Sequence, residues 1–291
     1  MTAVIKKQIS TSIGKAVLEG AQRLQTALVA EPRREAGSLL AHVIGRARIF
    51  VIAHVDDALS AEPLAAFRTL IARRASGEPL QYITGHQEFF KLDFEVTADV
   101  LIPRPETELI IEAALELLHN DTEPSFADIG TGSGCIAISL LHELPAAHAV
   151  ATDVSPAALR VAQRNAERHG VAARLELIES DCFSALDERR RFSLIASNPP
   201  YVSDGELKSV QREVSYEPRA ALAAGSDGLS IIRRLLRAAR PFLRSGGHFV
   251  FEVGFGQSEA VSQLIDRSVW KLIEIRTDLQ RIPRTFVLQG K

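Results

Sequence analysis

Apolar positions recur at three- and four-residue intervals through the first part of the chain. Ile13, Val17, Leu18, Ala21, Leu24 and Leu28 make one face of an amphipathic helix over 11–30. Similar patterns predict helices at 33–44, 47–54 and 61–74, with Ser60 placed as an N-cap before Pro63. No strand pattern interrupts this stretch, so residues 1–80 are expected to form a small helical bundle. From Pro79 the texture becomes aromatic and β-branched at 81–84, 88–92 and 94–97, broken by Gly85. Such runs predict a connecting β-hairpin over 81–100.

Beyond residue 101 the pattern alternates. Short apolar runs predict strands at 126–129, 147–152, 174–178, 192–197, 248–253, 270–276 and 285–288. Helical periods fall between most of them, at 135–143, 157–168, 229–243 and 258–267. Regular alternation implies βαβ units and a mostly parallel sheet covered on both faces. The last two strands are too close for a helical crossover and are expected to pair antiparallel at one edge. The fold class is therefore α/β, a seven-stranded mostly parallel sheet in residues 101–291, preceded by the bundle and the hairpin.

Composition narrows the functional classes. With 291 residues, 46% hydrophobic and 24% charged, the chain is ordinary for a globular protein. Cys135 and Cys182 offer neither a disulfide framework nor metal spacing, and no metal site is expected. Residues 1–10 carry two lysines and no long apolar run, and no stretch approaches the ~20 apolar residues of a membrane span. A cytoplasmic protein is expected. The net charge of −2 argues against bulk nucleic-acid binding. Residues 1–85 hold 11 Lys/Arg against 7 Asp/Glu and the remainder 23 against 29, which fits two parts with different tasks.

Candidate chemistry sits at predicted strand ends. Asn198, Pro199, Pro200 and Tyr201 directly follow the apolar run 192–197, and two prolines cannot continue a ladder. They form a rigid loop where open α/β sheets bind ligands. An Asn oxygen and a backbone carbonyl can accept both hydrogens of a planar NH2 group while an aromatic ring packs on its face. A Pro-Pro turn capped by Asn is the plain alternative. Asp128, Gly130, Thr131, Gly132, Ser133 and Gly134 lie between the first strand and a helix, where glycines let a ligand approach the backbone N–H groups. The spacing is GxGxG, and Cys135 occupies the place of the third glycine of a dinucleotide fingerprint. A nucleoside without phosphates suits it better. Asp153, about 20 residues further on, is placed to accept from ribose hydroxyls. Asp181, Cys182 and Phe183 follow the third strand and could flank an adenine, with Asp181 accepting from its amine.

Taken together, the glycine loop, Asp153, Asp181 and the Asn-Pro-Pro-Tyr loop resemble class I S-adenosylmethionine-dependent methyltransferases with a Rossmann-like sheet. The tetrapeptide resembles the group that methylates nitrogen of a planar amine or amide. Within that group, LIPRPETE at 101–108, EVGFGQ at 252–257 and TDLQRIPRTFVL at 277–288 resemble the peptide chain release factor glutamine methyltransferases. The resemblance implies S-adenosylmethionine as cofactor, with S-adenosylhomocysteine as product. It further implies methyl transfer to the glutamine amide of the Gly-Gly-Gln motif in class 1 release factors. It assigns the cofactor to the glycine loop and Asp153, and the glutamine to residues 198–201. Relatives often carry an aromatic residue, stacked on adenine, where this chain has Cys182, and Phe183 is expected to replace part of that contact. The alternatives are a ribosomal-protein glutamine methyltransferase and a nucleic-acid amino-group methyltransferase. Glu252 is read either as support for the 198–201 loop or as a solvent-facing strand end. Arg104 is expected to pair with Glu106 or Glu108, or to close the cofactor site. Neither a stable nucleic-acid partner nor a membrane is implied, and a monomer is expected.

Overall fold

A computed structural model describes residues 11–291, so the segment 1–10 read above lies outside the described residues. The chain divides into two compact units, Met1–Gly85 with Arg212–Tyr216, and His86–Gln211 with Glu217–Lys291.

In the first unit, helices Ile13–Thr26, Pro32–Ile44, Arg48–Ala53 and Ala61–Ala75 bury Leu24, Leu39, Leu40, Phe67 and Ile71. Ser12 caps the first helix by accepting from the Lys15 N–H, while Ser60 occupies the cap of the fourth without a side-chain bond. Gly20 lets these two helices meet closely, since a Cβ there would stand 2.7 Å from Phe67 Cζ. Two departures from the sequence reading have local causes. A two-residue ladder pairs Thr11–Ser12 with Ala58–Leu59, too short to register as a period. Residues 81–84, expected as strand, belong to the helix Leu80–Thr84, which Pro79 starts and Gly85 ends in the left-handed region at φ 81°. Four residues of β-forming composition cannot outweigh those two terminal signals.

The second unit begins with the hairpin His86–Phe89 and Leu92–Glu95, turned by Phe90 and Lys91 at φ 47° and 63°. Positive φ at both turn residues matches the twist of the flanking strands. The sheet follows: β1 (Ser125–Ile129), β2 (His148–Asp153), β3 (Leu175–Glu179), β4 (Phe192–Ser197), β5 (Leu243–Glu252), β6 (Trp270–Thr277) and β7 (Pro283–Gly290). Their order is β6-β7-β5-β4-β1-β2-β3, parallel from β5 to β3, with β7 antiparallel to both β5 and β6. The predicted antiparallel pair is present, but β7 is interior and β6 is the edge. Composition agrees, because Phe286, Val287 and Leu288 of β7 are wholly buried.

Helices α1 (Glu108–Leu118), α2 (Cys135–Glu143), α3 (Pro156–Arg168), α4 (Ser230–Ala238) and α5 (Ser258–Leu264) cover the sheet. One layer packs Phe126, Leu194 and Val250 with Ile110, Ile111 and Leu140. The other packs Phe192, Phe249, Phe251 and Trp270 with Ile232 and Leu235. Helix α4 ends at Ala238 rather than continuing to 243, because Pro241 cannot supply the next helical N–H. The strands β1 and β4 lie side by side with their crossovers leaving to opposite sides, so a crevice opens at their carboxyl ends.

At the base of that crevice Asp128 is fully buried, accepting from Thr131 Oγ1 at 2.6 Å and the Ala137 N–H at 3.3 Å, while its Oδ1 has no partner among the described residues. Burial pushes its carboxyl up to about 7. The folded chain therefore holds a proton that the unfolded chain has released, and stability falls as pH rises from the ordinary aspartate range through about 7. Asp128→Asn keeps an acceptor for Thr131 without a charge to bury. Urea midpoints measured at about pH 5 and about pH 8 are expected to differ less in this variant than in the parent chain.

Candidate active site

One cleft, at the carboxyl ends of β1, β2 and β4, gathers most of the predicted site residues. Gly130, Thr131, Gly132, Ser133, Asp153, Asp181, Cys182, Asn198, Pro199 and Pro200 all line it. The glycine loop owes its shape to backbone bonds across the sheet end. The N–H groups of Gly130 and Thr131 both donate to the Thr152 carbonyl, each at 2.8 Å. The Gly132 N–H donates to Asp153 Oδ2 at 2.9 Å, and Asp153 Oδ1 accepts from the Ser155 N–H. Gly132 adopts φ 55°, and a Cβ there would meet nothing within 4 Å, so the ligand side of the turn is open. Gly134 serves packing instead, because a Cβ there would stand 2.7 Å from Ile138 Cδ1. Asn165 on α3 ties the loop down by donating to the Ser133 carbonyl at 2.9 Å and the Glu95 carbonyl at 3.0 Å, while accepting from the Glu95 N–H.

Four predicted cofactor or substrate residues, and Arg104 besides, are placed otherwise than expected. Asp128 and Gly134 lie outside the cleft lining, the first as a buried support for the loop. Phe183 is buried, stacked on Phe242 with ring centroids 5.0 Å apart, so it is core and offers no face to the cleft. An aromatic side chain gains more from that apolar contact than from a half-wet rim. Tyr201 lies outside the lining as well; its ring adjoins Gly254 and its hydroxyl donates to Glu252. Arg104 pairs with Glu217 at 2.8 Å, neither with Glu106 nor with Glu108. Glu108 instead accepts from the Phe90 N–H. Asp181 pairs with Arg234 at 2.7 Å, which holds its carboxyl below the ordinary value.

Asn198 is oriented by a chain of hydrogen bonds. Its Nδ2 donates to Thr107 Oγ1 at 2.9 Å, and Thr107 donates to Glu252 Oε2 at 2.6 Å. Tyr201 donates to Glu252 Oε1 at 3.1 Å. Glu252 is thus no solvent-facing terminus but is 1% exposed, and burial raises its carboxyl to about 7. Burial and the neighbouring carboxylate push the Tyr201 hydroxyl well above the usual phenol range. The remaining Asn198 oxygen, Oδ1, is shielded from solvent and has no partner among the described residues. Gln257 closes the far end of the loop, donating to the Tyr201 carbonyl at 2.9 Å and accepting from the Gly254 N–H.

These features fit an adenosyl-sulfonium cofactor. Open backbone at Gly130 and Gly132 admits a ligand, and Asp153 retains lone pairs beside its two N–H bonds. Ile231 and Leu235 of α4 share the cleft with Cys182 and supply apolar wall for a base. Sequence reasoning missed both, since they read simply as the buried face of a helix. It also missed Thr107, which stands at the N-cap of α1 but makes no cap bond. A threonine before a helix signals capping, and nothing local shows that its hydroxyl turns to a strand end far along the chain.

Two family models match, the PrmC N-terminal domain over residues 15–85 and the Methyltransferase small domain over residues 107–226. The chain is 48% identical to the release factor glutamine methyltransferase of Geobacter sulfurreducens over 241 residues, covering 82% of this chain and 83% of that protein. It is 42% identical to the protein of the same name from Koribacter versatilis, covering 91% and 94%. Among solved structures, the catalytic domain of hMettl16 in complex with MAT2A 3'UTR hairpin 6 superimposes with a TM-score of 0.56 at 19% identity, covering 76% of this chain and 81% of that one. The last likeness concerns the fold alone. The chain is a methyltransferase that takes its methyl group from S-adenosylmethionine, and it belongs to the release factor glutamine methyltransferase family.

Proposed function

We propose that this enzyme methylates the side-chain amide nitrogen of the glutamine in the Gly-Gly-Gln motif of class 1 peptide chain release factors, in the cytoplasm. The observation that carries the reading is Asn198, which lines the cleft beside two prolines and whose side-chain oxygen is buried without a partner among the described residues. A buried acceptor left unpaired is costly by about 1–3 kcal/mol, and a planar NH2 group entering the cleft would restore its bond. The names of the relatives point to a glutamine amide as that group.

An amide nitrogen is a weak nucleophile because its lone pair is delocalised into the carbonyl. When bound, S-adenosylmethionine supplies a methyl already activated by its sulfonium. What the chain must add is alignment, which is worth up to about 7–11 kcal/mol in favourable cases. Asn198 Oδ1 and the Pro199 carbonyl accept the two amide hydrogens and turn the nitrogen lone pair toward the methyl. The prolines hold these acceptors on fixed φ angles. As the N–C bond forms the C–S bond breaks, and the alkylated nitrogen gives up its proton to solvent. Asp153 accepts from the ribose hydroxyls, the backbone of Gly130 and Gly132 approaches the cofactor, and Asp181 and Cys182 flank the base. Tyr201 braces the loop through Glu252 instead of packing on the amide. Residues 1–80 recognise the substrate protein, with 81–100 as linker to the catalytic part at 101–291.

The test incubates the purified chain with methyl-labelled S-adenosylmethionine and, separately, a class 1 release factor, a ribosomal protein, tRNA and DNA. Label is expected on the release factor glutamine alone; label only in nucleic acid, or only in the ribosomal protein, overturns the reading. Asn198→Ala is expected to lower kcat by about 100-fold or more while leaving cofactor affinity near that of the parent. Asp153→Ala is expected to do the reverse, raising the cofactor Kd by about tenfold in a calorimetric titration and sparing kcat at saturation.

A further inference from the structure

We propose that Glu252 and Thr107 form a positioning relay that decides which end of the Asn198 amide faces the cleft, so that the enzyme is competent only while the Glu252 carboxylate is ionised. The proposal rests on the reading of Asn198 as the acceptor of the substrate NH2 group.

The argument follows the hydrogens. An ionised carboxylate can only accept, and Glu252 takes one hydroxyl hydrogen on each oxygen, from Thr107 at 2.6 Å and from Tyr201 at 3.1 Å. Thr107 has a single hydroxyl hydrogen, now committed to Glu252. It can therefore present only a lone pair to Asn198, which lies 2.9 Å away. A lone pair selects the NH2 end of the amide. The reversed amide would bring two oxygens together at hydrogen-bond distance. Asn198 Oδ1 is thereby the end left for a ligand, in agreement with its unpartnered state.

Protonation of Glu252 reverses each step. A proton on Oε1 would strand the Tyr201 hydrogen, whereas a proton on Oε2 leaves every hydroxyl paired. In that state Glu252 donates to Thr107 Oγ1, and Thr107 turns its own hydrogen toward Asn198. The amide then flips to accept it, and its NH2 group meets the NH2 group of the substrate. Two donors face each other, and alignment is lost.

The surroundings place this change within reach of neutral pH. Burial raises the Glu252 carboxyl to about 7, the bonds from Thr107 and Tyr201 lower it, Glu106 in the turn before α1 raises it, and Arg284 on β7 lowers it. Cys135 at the start of α2 is held as a thiol by burial, and the carboxylates of Asp128 and Glu252 reinforce this, so it adds no charge. Arg104 acts on the Tyr201 side of the network and is paired with Glu217.

The experiment measures kcat and KM for release factor methylation across a pH series, with cofactor affinity alongside. For the parent chain kcat is expected to rise through one ionisation near pH 7. Glu252→Gln, which donates permanently from its amide, is expected to lose about 100-fold in kcat and the pH limb with it. Thr107→Val is expected to behave alike, while Thr107→Ser, which keeps the hydroxyl, retains both the rate and the limb. The double variant Glu252→Gln with Thr107→Val is expected to be no slower than the slower single, as members of one chain require. Parent-like rates in Glu252→Gln and Thr107→Val overturn the relay, as does a pH limb that survives in either. Losses that multiply in the double variant also overturn it, since two independent structural roles would give that result. Asn198→Ala separates the levels. If it turns over normally, the reading of Asn198 fails and the relay with it. If it is inactive while the other two keep the parent profile, the relay fails alone.

Discussion

Two parallel strands whose crossovers leave to opposite sides create the crevice on which the rest of the molecule depends. At the carboxyl ends of β1 and β4 the residues that follow each strand line one cleft. The glycine loop comes from one strand and the Asn-Pro-Pro-Tyr loop from its neighbour. The helices and the remaining strands fix the depth and walls of that crevice by burying Phe126, Phe249 and Phe251 on the two faces of the sheet.

Burial at the crevice is used for opposite ends. Asp128 and Glu252 are both shut away from solvent, and both carboxyls are held far above the ordinary range. Asp128 faces a helix start and a turn, where one oxygen gathers a hydroxyl and a backbone N–H. Glu252 faces two hydroxyls, one from each flanking segment. The first arrangement stabilises a backbone turn, and the second stabilises side-chain orientations. Breaking local rules with buried charge is usually confined to functional places, and here both cases flank the same cleft.

Much of this was legible in the sequence because it is local. Alternating periods gave the sheet and its helices, and the glycine loop, Asp153 and Asn198 announced themselves at strand ends. What escaped was set by tertiary partners. Residues 81–84 have the composition of a strand, yet a proline and a glycine at their borders decide for a helix. Phe183 follows a strand end, as a base-stacking residue would, but Phe242 claims its ring. Thr107 went unnoticed and Arg104 reads as the partner of a nearby acid, because spacing along the chain cannot reveal Glu252 or Glu217, more than a hundred residues away. Ile231 and Leu235 look like helix interior, and the helix period alone cannot distinguish a side chain packed on a sheet from one that borders a ligand.

Asn165 carries an implication for how the enzyme comes apart. Its one amide holds the last residue of the hairpin by donor and acceptor together and grips the glycine loop through Ser133. Hairpin and loop are separated in sequence by the whole of α1 and β1, yet one side chain fastens both. Releasing the Asn165 amide therefore costs bonds to both segments at once, which couples the opening of one to the other.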